Sequence, residues 1–442
     1  MHVLEKLADF VASAQPLKNK IELKETCQIL VADLMAAAGA GFHSHLAQST
    51  FAAAQQIYGP GDVAVWFRGQ ALSPVGAALC NSAAASALDL DDGHRGSAGH
   101  AGAGVIPAVM AVAQSLQSPD EDIFNALVLG YDVALRVATS RPVASIDSWV
   151  SGRWVGYGVA AAVARLLHLD AAGTAHAMAI VGAEGPIGFK SGSSRYLGSS
   201  VKEQIPVAVV AGIAAAFRAR HGATGPLDLL DNPERYDASF ILASLGERWF
   251  VQENYLKPYA CCRYMHAAID GILQIRQFDR PVRKLAIETF ERGLGLTNDR
   301  APKNLESGQY SYYFSCALAA LRGAHALQPV MPESLQDAEV LALAQQITLT
   351  AHEDFAQAFP QSTPCRVILD QGQGDEVVTV LAPLGDVSNP MRFSQVIEKL
   401  QKITRHDLSA QAIEALTAIL PNIHSEGFGP LWEFLSTKTS SH

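Results

Sequence analysis

Apolar positions in the first part of the chain, to about residue 270, recur with the spacing of helices. Between Val105 and Leu116 they fall at 105, 106, 109, 110, 112, 113 and 116, which predicts a helix beginning near Val105. Pro107 would then sit in its first turn, where a missing N–H costs little. Alanine is dense in 160–169 (AAAVARLLHL) and 207–220 (VAVVAGIAAAFRAR), and small residues let helices approach closely. No strand–helix alternation occurs here, so a doubly wound parallel sheet is disfavoured. Beyond residue 270 the texture changes. Segments 285–290, 346–352, 365–370 and 376–382 are short, β-branched and partly alternating, as strands are, with a helix predicted over 311–325. After LGDVSNP (384–390) the pattern is helical again over 393–403 and 409–420. The pattern predicts a mainly α chain with an α+β second domain: an all-helical domain over 1–268, completed by 395–442, and an α+β domain over 269–394.

Composition narrows the function. Of 442 residues, 49% are hydrophobic and 17% charged, a globular mixture. A net charge of −10 without a basic stripe argues against nucleic-acid binding. The most apolar run, Ile205 to Phe217, is too short to span a bilayer, and the first twenty residues lack a signal-peptide core. Six cysteines (27, 80, 261, 262, 316, 365) form no CxxC, which argues against a zinc ribbon or an iron–sulfur cluster. A cytoplasmic protein with no membrane or metal partner is expected. The Gly156-x-Gly158 pair has no preceding strand pattern and no acid about 20 residues on, so it does not read as a dinucleotide fingerprint.

Four segments could carry chemistry. Asp89, Asp91, Asp92, His94 and His100 lie within twelve residues, interleaved with glycines. Crowded carboxylates and histidines suit proton transfer, the competing reading being a solvated helix–helix connection. Segment 185–202 has no acid, five serines and the cations Lys190, Arg195 and Lys202, which suits an anionic ligand or a plain polar loop. Segment 256–266 gathers Lys257, Arg263, Tyr264 and His266 near the expected domain junction. Tyr310, Tyr312 and Tyr313 precede an Ala-Leu helix and read as packing residues.

The segments LDLDDGHRGSAGHAGAGVIPAVMAV (88–112), GATGPLDLLD (222–231), KPYACCRYMHAAIDG (257–271) and LGDVSNPMRFSQVIEKLQKI (384–403) resemble the MmgE/PrpD family. The resemblance implies a cleft between a helical and a smaller α+β domain, a homodimer, no cofactor or metal, and a small di- or tricarboxylate substrate. The implied chemistry is proton removal next to a carboxylate, followed by loss of water or carbon dioxide or by reprotonation. Carried over, Asp91, His100, Lys202 and His266 are the expected catalytic residues. Asp89, Asp92, His94, Lys190, Arg195, Lys257 and Arg263 are the expected substrate-binding ones. Two positions depart from the family pattern. Relatives place a presumed acid/base histidine in the stretch that here reads Ser148-Trp149-Val150-Ser151-Gly152-Arg153-Trp154, and an expected tyrosine falls on Phe314. Trp149 and Trp154 are expected to narrow the pocket. The resulting expectation is a cofactor-free lyase or isomerase, with 2-methylcitrate dehydratase as the family default. Its rivals are an epimerase of a substituted succinate and a non-catalytic carboxylate-binding paralogue.

Overall fold

The computed structural model describes residues 1–16, 20–188 and 201–439. Its first part is built from α1 (Val3–Ser13), α2 (Ile21–Gly41), α3 (His45–Ile57), α4 (Pro74–Ser86), α5 (Gly102–Leu116), α6 (Asp120–Thr139), α7 (Gly152–Leu166), α8 (Ala171–Glu184) and α9 (Ile205–Arg220). Short polar side chains start several of them: Ser44, Ser73 and Asp170 each accept a hydrogen bond from a backbone N–H of the first turn. Glycine then sets how closely the helices approach. A Cβ on Gly158 of α7 would lie 2.2 Å from the carbonyl of Gly130 on α6, and one on Gly212 of α9 would meet Val159 at 2.6 Å. The paired glycines at 156 and 158 are therefore packing devices between buried helices.

Helix α5 begins at Gly102, not near Val105, and Pro107 lies inside it rather than in the first turn. The start is earlier because Gly104 and Val105 both donate their N–H to the Ala101 carbonyl, closing the turn over Gly102 and Ala103. Small ribbons escaped the helical reading of this part. Strands β1 (Val63–Val65) and β2 (Gln70–Leu72) form a hairpin; β3 (Gly93–His94) pairs antiparallel with β4 (Asn254–Tyr255).

The second part holds β5 (Lys284–Thr289), β6 (Thr348–Ala351), β7 (Cys365–Asp370) and β8 (Asp375–Val380) in the order β6-β5-β7-β8. Strand β6 runs parallel to β5, and the other pairs are antiparallel, with Ile287 opposite Val367. Leu285, Ile287, Val367 and Leu369 alternate inward on one buried face. Helix His266–Ile275 packs there through Gly271, where a Cβ would sit 2.8 Å from Val367. The chain is thus mainly α with an α+β second part.

The last helices return to the first. Helix Phe393–Thr404 lies on α2, and buried Lys399 joins them: its Nζ donates to Asp33 Oδ1 at 2.6 Å and to the Leu90 carbonyl at 2.7 Å. That second bond grips the acidic 89–92 segment from behind. Among the described residues no single helix is long and apolar enough to cross a membrane.

Candidate active site

Helix α4 ends at Ser86, and Asp89 follows with φ of 56°, a left-handed conformation that aspartate tolerates. The β3–β4 ribbon then sets residues 89–94 beside the 254–266 segment, so that Lys257, two residues beyond β4, reaches the acids. Lys202 arrives from the turn before α9. There Lys202, Glu203 and Gln204 have φ of 32°, 53° and 60°, each costing on the order of 1–3 kcal/mol. The kink aims Lys202 at Asp89 while Glu203 accepts from the Ser151 hydroxyl at 2.6 Å.

These segments form one charge cluster. Asp89 Oδ1 lies 3.1 Å from Lys202 Nζ, 3.3 Å from Lys257 Nζ and 3.8 Å from His100 Nε2. Burial works against its charge, but the two ammonium groups and His100 outweigh it and hold the carboxyl well below the usual range. His100 Nδ1 lies 2.8 Å from the Asp92 carbonyl and 3.3 Å from Asp91 Oδ2. A carbonyl can only accept, so Nδ1 carries the proton and Nε2 is left for a ligand. Burial opposes a charge on this ring as well. Asp91 outweighs it and raises the histidine to about 9. Asp92 is pushed up to about 7 by burial and by its neighbours Asp91 and Asp33. A Cβ on Gly102 would sit 1.9 Å from Asp92 Oδ1, so glycine is required there.

A cavity of about 610 Å³ opens over this cluster, between the two parts of the chain. Its wall includes Asp89, His94, Arg95, His100, Glu203, Tyr255, Cys262, Arg263, Tyr310 and Arg292, with Trp149, Tyr264, Phe290 and Phe359 as its aromatic side. Arg95 and Arg263 both reach Asp386, so two guanidinium groups share one carboxylate. Buried polar atoms without hydrogen-bond partners occur in this wall, at Asp89 Oδ2 and Arg263 Nε. Native interiors leave few such atoms, and a pair of them in one wall marks a site built for something else.

The expected residues converge, with a different division of places. Asp89, His94, His100 and Arg263 line the cavity. Asp91, Asp92, Lys202 and Lys257 stand behind that wall. Asp91 therefore orients His100 instead of facing a ligand. His266 also lies behind, fully buried, with Nδ1 accepting from Arg263 Nη1 at 3.2 Å and Nε2 donating to the Cys261 carbonyl at 3.1 Å. Burial and the Arg263 charge hold its pKa well below the ordinary histidine value, and neither ring nitrogen is free. His94 accepts from the Ser97 N–H at Nδ1, and burial lowers its pKa too. Lys190 and Arg195 lie outside the described residues.

Three expectations about aromatic residues change. Trp149 lines the cavity, but Trp154 is buried beneath Gly99 and does not. Phe314 is likewise buried, in contact distance of Gly308. The phenol in the wall belongs to Tyr310, whose hydroxyl is 3.4 Å from Lys202 Nζ, so that tyrosine is more than packing. Tyr312 instead donates to the Tyr264 carbonyl. Among the described residues no three His, Cys, Asp or Glu side chains are grouped to hold a metal ion.

Two family models match the chain: the MmgE/PrpD N-terminal domain over residues 5–244 and the MmgE/PrpD C-terminal domain over 259–422. Curated relatives are distant and match over most of their length. A cis-aconitate decarboxylase of Aspergillus terreus (strain NIH 2624 / FGSC A1156) is 24% identical over 426 residues, covering 86% of this chain and 85% of the relative. The cis-aconitate decarboxylase-like protein oryM of Aspergillus oryzae (strain ATCC 42149 / RIB 40) is 22% identical over 453 residues, covering 94% and 93%.

Proposed function

The chain belongs to the MmgE/PrpD family, and from that membership and the site geometry we propose that it is a lyase of a small polycarboxylate in which His100 carries the proton at carbon. The observation that carries this reading is the Asp91–His100 arrangement. A ring fixed through Nδ1 by a carbonyl and a carboxylate presents Nε2 at the cavity wall as a charged donor at neutral pH. Arg95 and Arg263, with one carboxylate between them, leave positive charge for a substrate carboxylate.

A protonated His100 favours decarboxylation over the family-default dehydration. In this step the bond to a departing carboxylate breaks and carbon dioxide leaves. The electron pair spreads into a neighbouring carboxylate through a conjugated double bond, and His100 Nε2–H gives its proton to carbon. The imidazole then regains a proton from water. Dehydration calls for a competent base as well, and Asp89, held strongly ionised by Lys202 and Lys257, is a weak one. The names carried by the two fungal relatives support the same reaction type. Epimerisation is the second reading, because Tyr310 puts another proton-bearing group on the same wall.

The test is incubation in D₂O with a panel of small unsaturated and hydroxylated di- and tricarboxylates that includes cis-aconitate. The expected result is a product lacking one carboxylate and carrying one deuterium on carbon. Deuterium exchange without net product would move the assignment to an epimerase. Loss of water alone, or no reaction with any member of the panel, would overturn the proposal.

A further inference from the structure

We infer that Arg292 forms a second carboxylate subsite at the aromatic side of the cavity, so that the preferred ligand carries two separated carboxylates. The inference rests on the polycarboxylate reading above and sharpens it. The cavity wall carries three guanidinium groups. Arg95 and Arg263 are both engaged by Asp386, whereas Arg292 has no carboxylate partner among the described residues. Arg292 is exposed at the rim of the cavity, but it is held in place. Its guanidinium carbon lies 4.4 Å from the centroid of the Trp149 indole and 5.2 Å from that of Phe359, and its Nε donates to the Tyr264 hydroxyl at 3.3 Å.

The platform is itself rigid. Phe359 stacks on Phe290 at 5.7 Å with 7° between the planes, and meets Trp149 edge-on at 5.5 Å. The rings meet the guanidinium through its charge, and among the described residues neither Nη group makes a hydrogen bond, so both can meet a carboxylate. The aromatic neighbours also screen one side from water, and the Tyr264 hydroxyl accepts from Nε alone, leaving the two Nη groups. The outer cation is thus pre-oriented, and what it lacks is an anion.

The experiment measures binding by calorimetry on the full chain, using maleate and maleamate, which differ by one charge at nearly equal shape. The wild-type protein should bind maleate on the order of tenfold more tightly than maleamate, the scale of one charge-assisted bidentate contact. Arg292→Gln should weaken maleate by that factor and leave maleamate within about twofold, collapsing the ratio. Trp149→Leu, which keeps the charge and removes the platform, should weaken maleate by a smaller factor in the same direction. A maleate-to-maleamate ratio near one in the wild type, or one that survives in Arg292→Gln, overturns the subsite. Binding is read without turnover, so the two proposals fail separately. Discrimination through Arg292 with no D₂O reaction removes the lyase and keeps the subsite. Deuterated product with an unchanged ratio in Arg292→Gln removes only the subsite.

Discussion

Replacing Asp91 by asparagine should change the protonation of His100 far more than its position. The amide has nearly the same shape as the carboxylate it replaces, and the Nδ1 bond to the Asp92 carbonyl at 2.8 Å remains to hold the ring. What disappears is the carboxylate 3.3 Å from Nδ1. In the native site burial pulls the histidine down and Asp91 more than compensates, so that it rises from 6.5 to about 9. That rise corresponds to about 3 kcal/mol in favour of the imidazolium. Without Asp91, burial and the Lys257 charge remain against Asp89, Asp92 and Glu203, and the pKa should fall well below about 9. At pH 7.5 the charged fraction then falls, and activity should fall about tenfold or more. The alkaline limb of kcat/KM should move down from about 9 toward neutral pH. Ring ¹⁵N shifts of His100 measured against pH report the same change without substrate. The stability linkage has a definite sign. A histidine whose folded pKa is raised adds stability that is complete below pH 6.5 and is lost as pH rises through about 9. Asp91→Asn should remove that slope between pH 6.5 and 9 from urea titrations. A variant whose alkaline limb and ring titration both stay near 9 would refute the claim that Asp91 sets the charge of His100.

Tyr310→Phe separates the two reactions: decarboxylation through His100 should lose less than about tenfold in kcat, the scale of one hydrogen bond, and a loss beyond about a hundredfold would identify the phenol as a second obligatory proton carrier. His266→Asn should raise KM by loosening Arg263 and leave the pH profile of kcat in place, because the ring has no free nitrogen; a displaced profile would show that it titrates in catalysis. Lys399→Ala strands Asp33 in the core and frees the Leu90 carbonyl, so urea unfolding should show a loss of about 3–5 kcal/mol together with a reduced kcat. A loss under about 1 kcal/mol would mean that the pair contributes little to the join between the last helices and α2.

The helices and the four-stranded sheet were legible because their apolar periods extend over many residues. Strand β7 begins and ends where the alternation does, and helix Phe393–Thr404 covers the predicted 393–403. The β3–β4 ribbon was not legible, since two residues on each strand carry no period, yet it decides which side chains meet. The density of acids in 89–92 announced a site. Their order within it depends on the left-handed turn at Asp89, which puts that residue at the wall and Asp91 behind. Arg292 and Glu203 had no local pattern to mark them, and Tyr310 stood in a tyrosine-rich segment whose pattern reads as packing. Lys399 reads in sequence as one more charge on an amphipathic helix, and only the return of that helix to α2 makes it part of the site's support.

The three histidines show why residue type alone could not assign the roles. His94, His100 and His266 are all buried, and burial lowers the pKa of each in the same direction. What separates them is the group that meets Nδ1. At His94 it is the Ser97 N–H, and at His266 it is the Arg263 guanidinium; both are donors, so Nδ1 must stay unprotonated. A second proton on either ring would replace a hydrogen bond with a clash of donors. At His100 the partner is a carbonyl with a carboxylate beside it, which accepts the Nδ1 proton and favours a charge on the ring. That partner is supplied by the backbone of Asp92, whose place is fixed by the Gly102 contact and by the Lys399 bond to Leu90. The protonation of His100 is therefore set by where the chain puts one carbonyl, and if His100 carries the proton as proposed, mutations that shift that carbonyl should impair catalysis without touching the imidazole itself.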